Sequence, residues 1–292
     1  MQVGETVESS YDAHVHIALD GRNWKAALAR HANGVDEAAV RSSLERYAQS
    51  GITYIRDGGD KYLVGLYAAR VASEYGIRYV SPAFPLYAKG SYGGFIGRAF
   101  ADVKQAKGLI DEALLRGASF IKIMTTGILD FDTFGLVTAQ SLDARLLEDV
   151  VAYAHARGVP VMAHTNGAQA IRQAIDAGVD SIEHGYYADR EAIDAMANAQ
   201  VIWVPTLAPI CNAIPYAAHP EVLEDIRDTQ MSAITYAVQQ GVFVACGSDA
   251  GAGHVEHASG ACDERTLLQG AIGESADIVL QRACSELKRR FS

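Results

Sequence analysis

Short apolar runs alternate with helix-length amphipathic segments along the whole chain, and no other feature restricts its fold so far. The runs are YDAHVHI (11–17), ITYIRDGG (52–59), IRYVSPAF (77–84), SFIKIMTTG (119–127), PVMAHTNG (160–167), SIEHGYY (181–187), VIWVPTLAP (201–209) and VFVACGSDAG (242–251). Each is short and bounded by turn-forming residues, the pattern of a buried strand. Between them lie segments such as VDEAAVRSSLERYAQSG, AQAIRQAIDAGVD and EVLEDIRDTQMSAITYAVQQG, in which Leu, Val, Ile and Ala recur at helical spacing. Most of these segments end in glycine, as a C-terminal cap does. Eight β-then-α units of this size predict a (β/α)8 TIM barrel, an α/β fold. A doubly wound open sheet shares the local pattern, but the count of eight and the lack of GxGxxG after the first run favour the barrel. No linker, low-complexity segment or charge block divides the chain, so residues 1–292 read as one barrel domain.

The fourth run carries a residue that does not belong in a buried strand. Lys122 stands in the middle of SFIKIMTTG, alternating with Phe120 and Met124 on the face that would point into a barrel. Burying an unpaired ammonium is costly enough that it normally loses its proton. In a barrel, active sites lie at the C-terminal ends of the strands, and five of the eight runs place metal-ligand residue types there. His14 and His16, two apart, point the same way. His164 ends VMAH, His184 ends SIEH and Asp249 closes VACGSD. Singly, each has a plain reading: an HxH pair recurs by chance, a strand-end histidine is often a hydrogen-bonded structural residue, and Asp249 suits a turn or a helix N-cap. Together, four histidines, one aspartate and one inward lysine at the same end of five strands are an improbable accident.

The wording around these residues resembles the amidohydrolase superfamily, and in particular its imidazolonepropionase and Xaa-Pro dipeptidase-like branch. The motifs that carry the resemblance are Asp12-Ala13-His14-Val15-His16, Tyr54-Ile55-Arg56-Asp57-Gly58-Gly59 and Phe120-Ile121-Lys122-Ile123, followed by Ala163-His164-Thr165-Asn166-Gly167, Ser181-Ile182-Glu183-His184-Gly185 and Gly247-Ser248-Asp249-Ala250-Gly251. Members usually carry a small β-sandwich built from residues before strand one and after strand eight. Few residues precede His14 here and the C-terminal stretch reads as helices, so a barrel without the sandwich is expected.

The resemblance implies a site for two divalent metal ions, with zinc the first choice for such nitrogen and oxygen ligands. His14, His16 and Asp249 would hold the first, His164 and His184 the second, and a CO2-derived carbamate on Lys122 would be shared. A free lysine titrates at about 10.4, so keeping one neutral at pH 7 costs roughly 4.6 kcal/mol. Two adjacent dications would disfavour the ammonium further and stabilise an anionic carbamate. A bridging hydroxide would be the nucleophile and Asp249 the proton shuttle, acting as base and then acid. The rival reading leaves Lys122 unmodified and paired to Asp249 at a one-metal site.

The reaction so implied is hydrolysis of amide-type C–N bonds in dipeptides, N-acyl amino acids, carbamates or ureas. Lactonase or phosphoester hydrolase chemistry, or a non-catalytic metal- or ligand-binding barrel, stay open. Asn166, Tyr186 and His254 are candidate substrate contacts, each with a structural alternative. Arg56 and Asp57 read as an ion pair inside the barrel. Lys89 and Arg98 flank GSYGGFIG, a lid-like stretch where one of them could hold a substrate carboxylate, and His257 could line the pocket or be exposed. The net charge of −10 argues against nucleic acid as the main partner, and the substrate that the resemblance implies is a small molecule. Cys211, Cys246, Cys262 and Cys284 form no CxxC pair, and Cys246 sits in an apolar run as a core residue. The N-terminus has no basic-then-apolar leader and no run is long enough to span a bilayer, so a cytoplasmic protein is expected, with homo-oligomerisation open.

Overall fold

A computed structural model describes residues 10–292; the first nine residues, part of the stretch read for a leader, lie outside them. Ten short strands follow in order: β1 (Ser10–Val15), β2 (Ile52–Asp57), β3 (Arg78–Val80), β4 (Pro85–Ala88), β5 (Arg98–Phe100), β6 (Ile121–Met124), β7 (Val161–Thr165), β8 (Ser181–His184), β9 (Ile202–Val204) and β10 (Phe243–Val244). All their ladders are parallel, in the orders β1-β2-β3 and β10-β9-β8-β7-β6-β4-β5.

These two sheets are parts of one ring. IRYVSPAF was expected as a single third strand, but Pro82 has no N–H to give a ladder and Ala83 adopts a left-handed φ of 66°. The strand therefore breaks into β3, which pairs with β2, and β4, which pairs with β6. Across the break the Ser119 N–H donates to the Ser81 carbonyl at 2.9 Å. On the other side, Ala13 N–H donates to Cys246 O (2.9 Å) and Asp249 N–H to His14 O (2.7 Å), while Val15 bridges to Ala250. Asp12 ties the same seam, accepting from the Ser248 N–H at 2.8 Å and the Ser248 hydroxyl at 2.5 Å. The result is the (β/α)8 arrangement, with β5 added on the edge of β4 after the glycine-rich stretch.

The helices form where amphipathic periodicity and caps coincide. Asp102, Asp143 and Asp189 each accept from the backbone N–H three residues on, at 2.8, 3.0 and 2.8 Å. Such a cap contributes about 1 kcal/mol to its helix. The helix Ala144–Ala156 buries Leu147, Val150, Val151 and Ala154, one stripe at helical spacing, against the barrel wall. Inside the barrel, Phe291 plugs the end opposite the strands' C-termini: it is fully buried, edge-on to Phe120 at 5.3 Å and under the Arg56 guanidinium at 4.4 Å. Among the described residues there is no β-sandwich beside the barrel, and no helix is long and apolar enough to cross a membrane.

Candidate metal centre

The site is built on a buried charge network that crosses the barrel. Arg56 reaches from β2 to β8, donating to both Glu183 oxygens (2.8 and 2.9 Å), to Ser181 Oγ (2.8 Å) and to the Ala13 carbonyl (2.8 Å). This corrects the expected pairing of Arg56 with Asp57. Consecutive strand residues face opposite ways, so Arg56 points inward while Asp57 turns toward Ser81 Oγ, 3.4 Å away, beneath the helix Val64–Val71. Burial and the nearby Asp60 charge raise the Asp57 carboxyl to about 7.

Glu183 passes that order upward. Its Oε2 accepts from His14 Nδ1–H at 2.7 Å, which leaves the Nε2 lone pair of His14 facing Lys122 and Asp249. There Nε2 lies 3.4 Å from Lys122 Nζ and 3.6 Å from Asp249 Oδ1, and His16 Nε2 lies 3.5 Å from the same oxygen. Gly58 makes room for His16, because a Cβ there would stand 2.2 Å from its Cε1. His164 Nε2–H donates to the Gly127 carbonyl (3.1 Å), freeing Nδ1, and His184 Nδ1 is hydrogen-bonded to the Thr206 hydroxyl (2.8 Å). The His184 ring lies 4.5 Å from that of His164 and 5.0 Å from that of His14.

His184 reaches the cavity in a way that strand alternation does not foretell. Glu183 is the inward residue of β8; His184 joins it because its backbone turns left-handed, at φ 67°. Trp203 Nε1 and Gln230 Nε2 hold that turn by donating to the His184 carbonyl at 3.0 and 2.7 Å. Asp249 is likewise left-handed, at φ 56°. Strained backbone of this kind persists where surrounding bonds fix it, and it clusters at functional sites.

Burial governs the titration of the group. It pushes His16 and His164 down to about 3, helped by the Lys122 charge, and His14 and His184 well below the usual histidine range. Burial also lowers Lys122 and raises Asp249, while each partner's charge opposes the shift of the other. Neutral imidazoles are what a metal requires of a histidine. His14, His16 and Asp249 each aim one donor atom so that the three lie within 4.8 Å of one another. With His14 oriented by a carboxylate behind it, this donor set fits a divalent ion. His16 and Asp249, with His164, His184 and Lys122, line one cavity, and His14 lies fully buried behind them.

The cavity above these residues has a volume of about 640 Å³. Asn166, Tyr186 and His254 all line it. Two of these side chains also fix the loops they stand on. Asn166 donates to Gly127 O (3.2 Å) and accepts from Tyr186 N–H (3.2 Å), and the Tyr186 hydroxyl donates to Thr206 O (2.8 Å). His254 stacks on Tyr216 at 4.3 Å. His257 is buried elsewhere, bonded to Tyr47 OH and Leu19 O. Arg98 pairs with Glu112 at 2.5 Å, and neither it nor Lys89 lines the cavity. From the glycine-rich stretch between them, Tyr92, Phe95 and Ile96 do. Glu183 went without a role in the sequence, although its alternation with Ser181 beside an outward Ile182 was a legible signal. Trp24, the first residue of the helix Trp24–Arg30, gave none.

The amidohydrolase family model matches residues 10–281. An uncharacterized protein of Mycobacterium tuberculosis is 32% identical over 198 residues, covering 64% of this chain and 51% of that protein. Ochratoxinase of Aspergillus niger is 27% identical over 217 residues, 70% of this chain and 42% of that protein. The chain thus spans about half the length of these relatives, or less. Among solved structures, A. niger ochratoxinase superposes with a TM-score of 0.78 at 20% identity, covering 96% of this chain and 70% of the other. A Xaa-Pro dipeptidase with bound methionine gives 0.76 at 22% identity, with 96% and 75% coverage. At those identities the superpositions show the fold.

Proposed function

The chain belongs to the amidohydrolase family, and on that premise we propose that it is a metal-dependent hydrolase of amide-type C–N bonds. One observation carries the proposal: at the C-terminal ends of the barrel strands, His14, His16 and Asp249 converge on one point, with His14 locked by Glu183 and Arg56. The names of the ochratoxinase and the Xaa-Pro dipeptidase among similar proteins agree with hydrolytic chemistry. The metals would be two, with zinc the first choice, held by His14, His16, Lys122, His164, His184 and Asp249.

Bound there, divalent ions supply Lewis acidity toward a carbonyl oxygen and toward water. The protein's own groups do the rest. Burial lowers the cost of a neutral Lys122 amine, so its Nζ lone pair can attack the carbon of CO2, release one N–H proton and become an anionic carbamate. Asp249, raised toward neutrality by burial, accepts the proton of the attacking water and returns it to the departing nitrogen. Arg56 and Glu183 hold the His14 ring so that its Nε2 stays aimed inward.

The test combines metal analysis with a screen of amides, lactones and phosphoesters, repeated after chelation and after zinc is restored. About two ions per chain, and amide turnover lost and regained with metal, are expected. Turnover of lactones or phosphoesters alone, or amide turnover indifferent to chelation, would sink the reading.

A further inference from the structure

We infer that the cavity takes uncharged amides bearing an aromatic or other large apolar group, laid along a row of rings that runs from the candidate ligands to the mouth. The inference builds on the hydrolase reading above and narrows its substrate class.

The row is continuous. Tyr92 lies against His164 at 5.2 Å with planes 30° apart, Phe95 against Tyr92 at 5.7 Å, and Trp24 edge-on to Phe95 at 5.5 Å. It begins at a candidate metal ligand and ends at Trp24, which is 46% exposed. Trp24, Ile128, Phe131 and Tyr216 are four of the eight large hydrophobic side chains exposed among the described residues, and all four line this cavity. Apolar surface gathered at the rim of a concave site, rather than scattered, marks a binding surface. The volume falls within the roughly 300–1,000 Å³ of cavities that enclose drug-sized ligands.

Charge completes the case. Of the residues lining the cavity, Lys122 alone is a lysine or arginine, and it lies at the floor within the candidate ligand set. The acids that line it are Asp132 and Asp249. Arg98, outside the cavity lining, is engaged by Glu112. At the mouth, Lys25 Nζ lies 5.3 Å from the Trp24 ring, but a carboxylate held deeper, against Tyr92 or Phe95, would leave water with no lysine or arginine lining the cavity to receive it. Dipeptides and N-acyl amino acids carry such a group; neutral amides, carbamates and ureas do not.

The ligand pair that tests this is benzanilide and 4-carboxybenzanilide, titrated into the full chain by calorimetry. Benzanilide should bind at least about tenfold more tightly, the consequence of one unpaired charge. Equal or tighter binding of the carboxylate overturns the inference. Trp24→Ala and Phe95→Ala should each weaken benzanilide about fivefold, with metal content and melting temperature unchanged. Unaltered affinity in both variants refutes the ring row. Ile128→Arg, at an exposed position, should narrow or reverse the preference against the carboxylate; an unmoved ratio also counts against the proposal. Hydrolysis is read separately. Selective binding of the neutral ligand with no amide turnover by the metal-loaded protein removes the hydrolase reading and leaves the cavity's selectivity. Turnover that favours zwitterionic dipeptides keeps the hydrolase and removes the selectivity.

Discussion

Two polar levels share the interior of this barrel. In the lower, Arg56, Ser181 and Glu183 meet at 2.6–2.9 Å, and Arg56 rests on Phe291. In the upper, Lys122, His14, His16 and Asp249 face one another at 3.4–3.6 Å, wider than well-formed hydrogen bonds. Both levels are buried except for the partly exposed Asp249, so burial does not separate structure from function here. Saturation does. A buried polar group whose bonds are all made is part of the scaffold, whereas lone pairs left converging on a cavity await a ligand.

Substitutions should therefore act differently on the two levels. The largest effect is expected from Asp249→Asn, which should lower kcat by about a hundredfold or more while keeping most of the metal and the melting temperature. Undiminished hydrolysis would remove the proton-shuttle role. Arg56→Met should act the other way. It strands Glu183 in the interior and costs about 3–5 kcal/mol of stability, seen as a lower denaturant midpoint. An unchanged midpoint would mean that the lower level is not scaffold.

A pH-dependent effect belongs to Glu264, which is intermediate between the two cases. One carboxylate oxygen accepts from Ala208 N–H at 2.8 Å, and the other has no hydrogen-bond partner among the described residues. Burial raises its pKa from the ordinary 4.5 to about 8. Between those values the folded state keeps a proton that the unfolded chain has lost, so this group's stabilising contribution falls as pH rises through the window. Glu264→Gln should flatten that decline, which for a shift of this size amounts to up to about 5 kcal/mol between the two ends of the window. Parallel stability–pH curves for the two proteins would contradict the assignment.

Much of the upper level was legible because its residues sit at predictable points of local patterns. Lys122, His14, His16 and His164 fall on inward positions of period-two strands. His184 was read correctly as a strand-end residue, yet its entry into the cavity depends on a backbone turn held by Trp203 and Gln230, residues 19 and 46 positions away. The lower level was misread for the same reason. Arg56 has an acid beside it in sequence, and nothing local says that its true partner lies 127 residues on.

The sequence alone determined the alternation of eight strand and helix units, the caps that start helices, and the residue types at the strands' C-terminal ends. Each depends on neighbours within a turn or two of chain. Only the tertiary structure decided that strand three breaks at Pro82–Ala83, that Phe291 closes the barrel floor, and that Arg56 holds Glu183. It also decided that Trp24, Phe95, Tyr92 and His164 form one row. Those outcomes depend on side chains meeting across the barrel and between loops, where closure of the ring, and no local pattern, sets the distance.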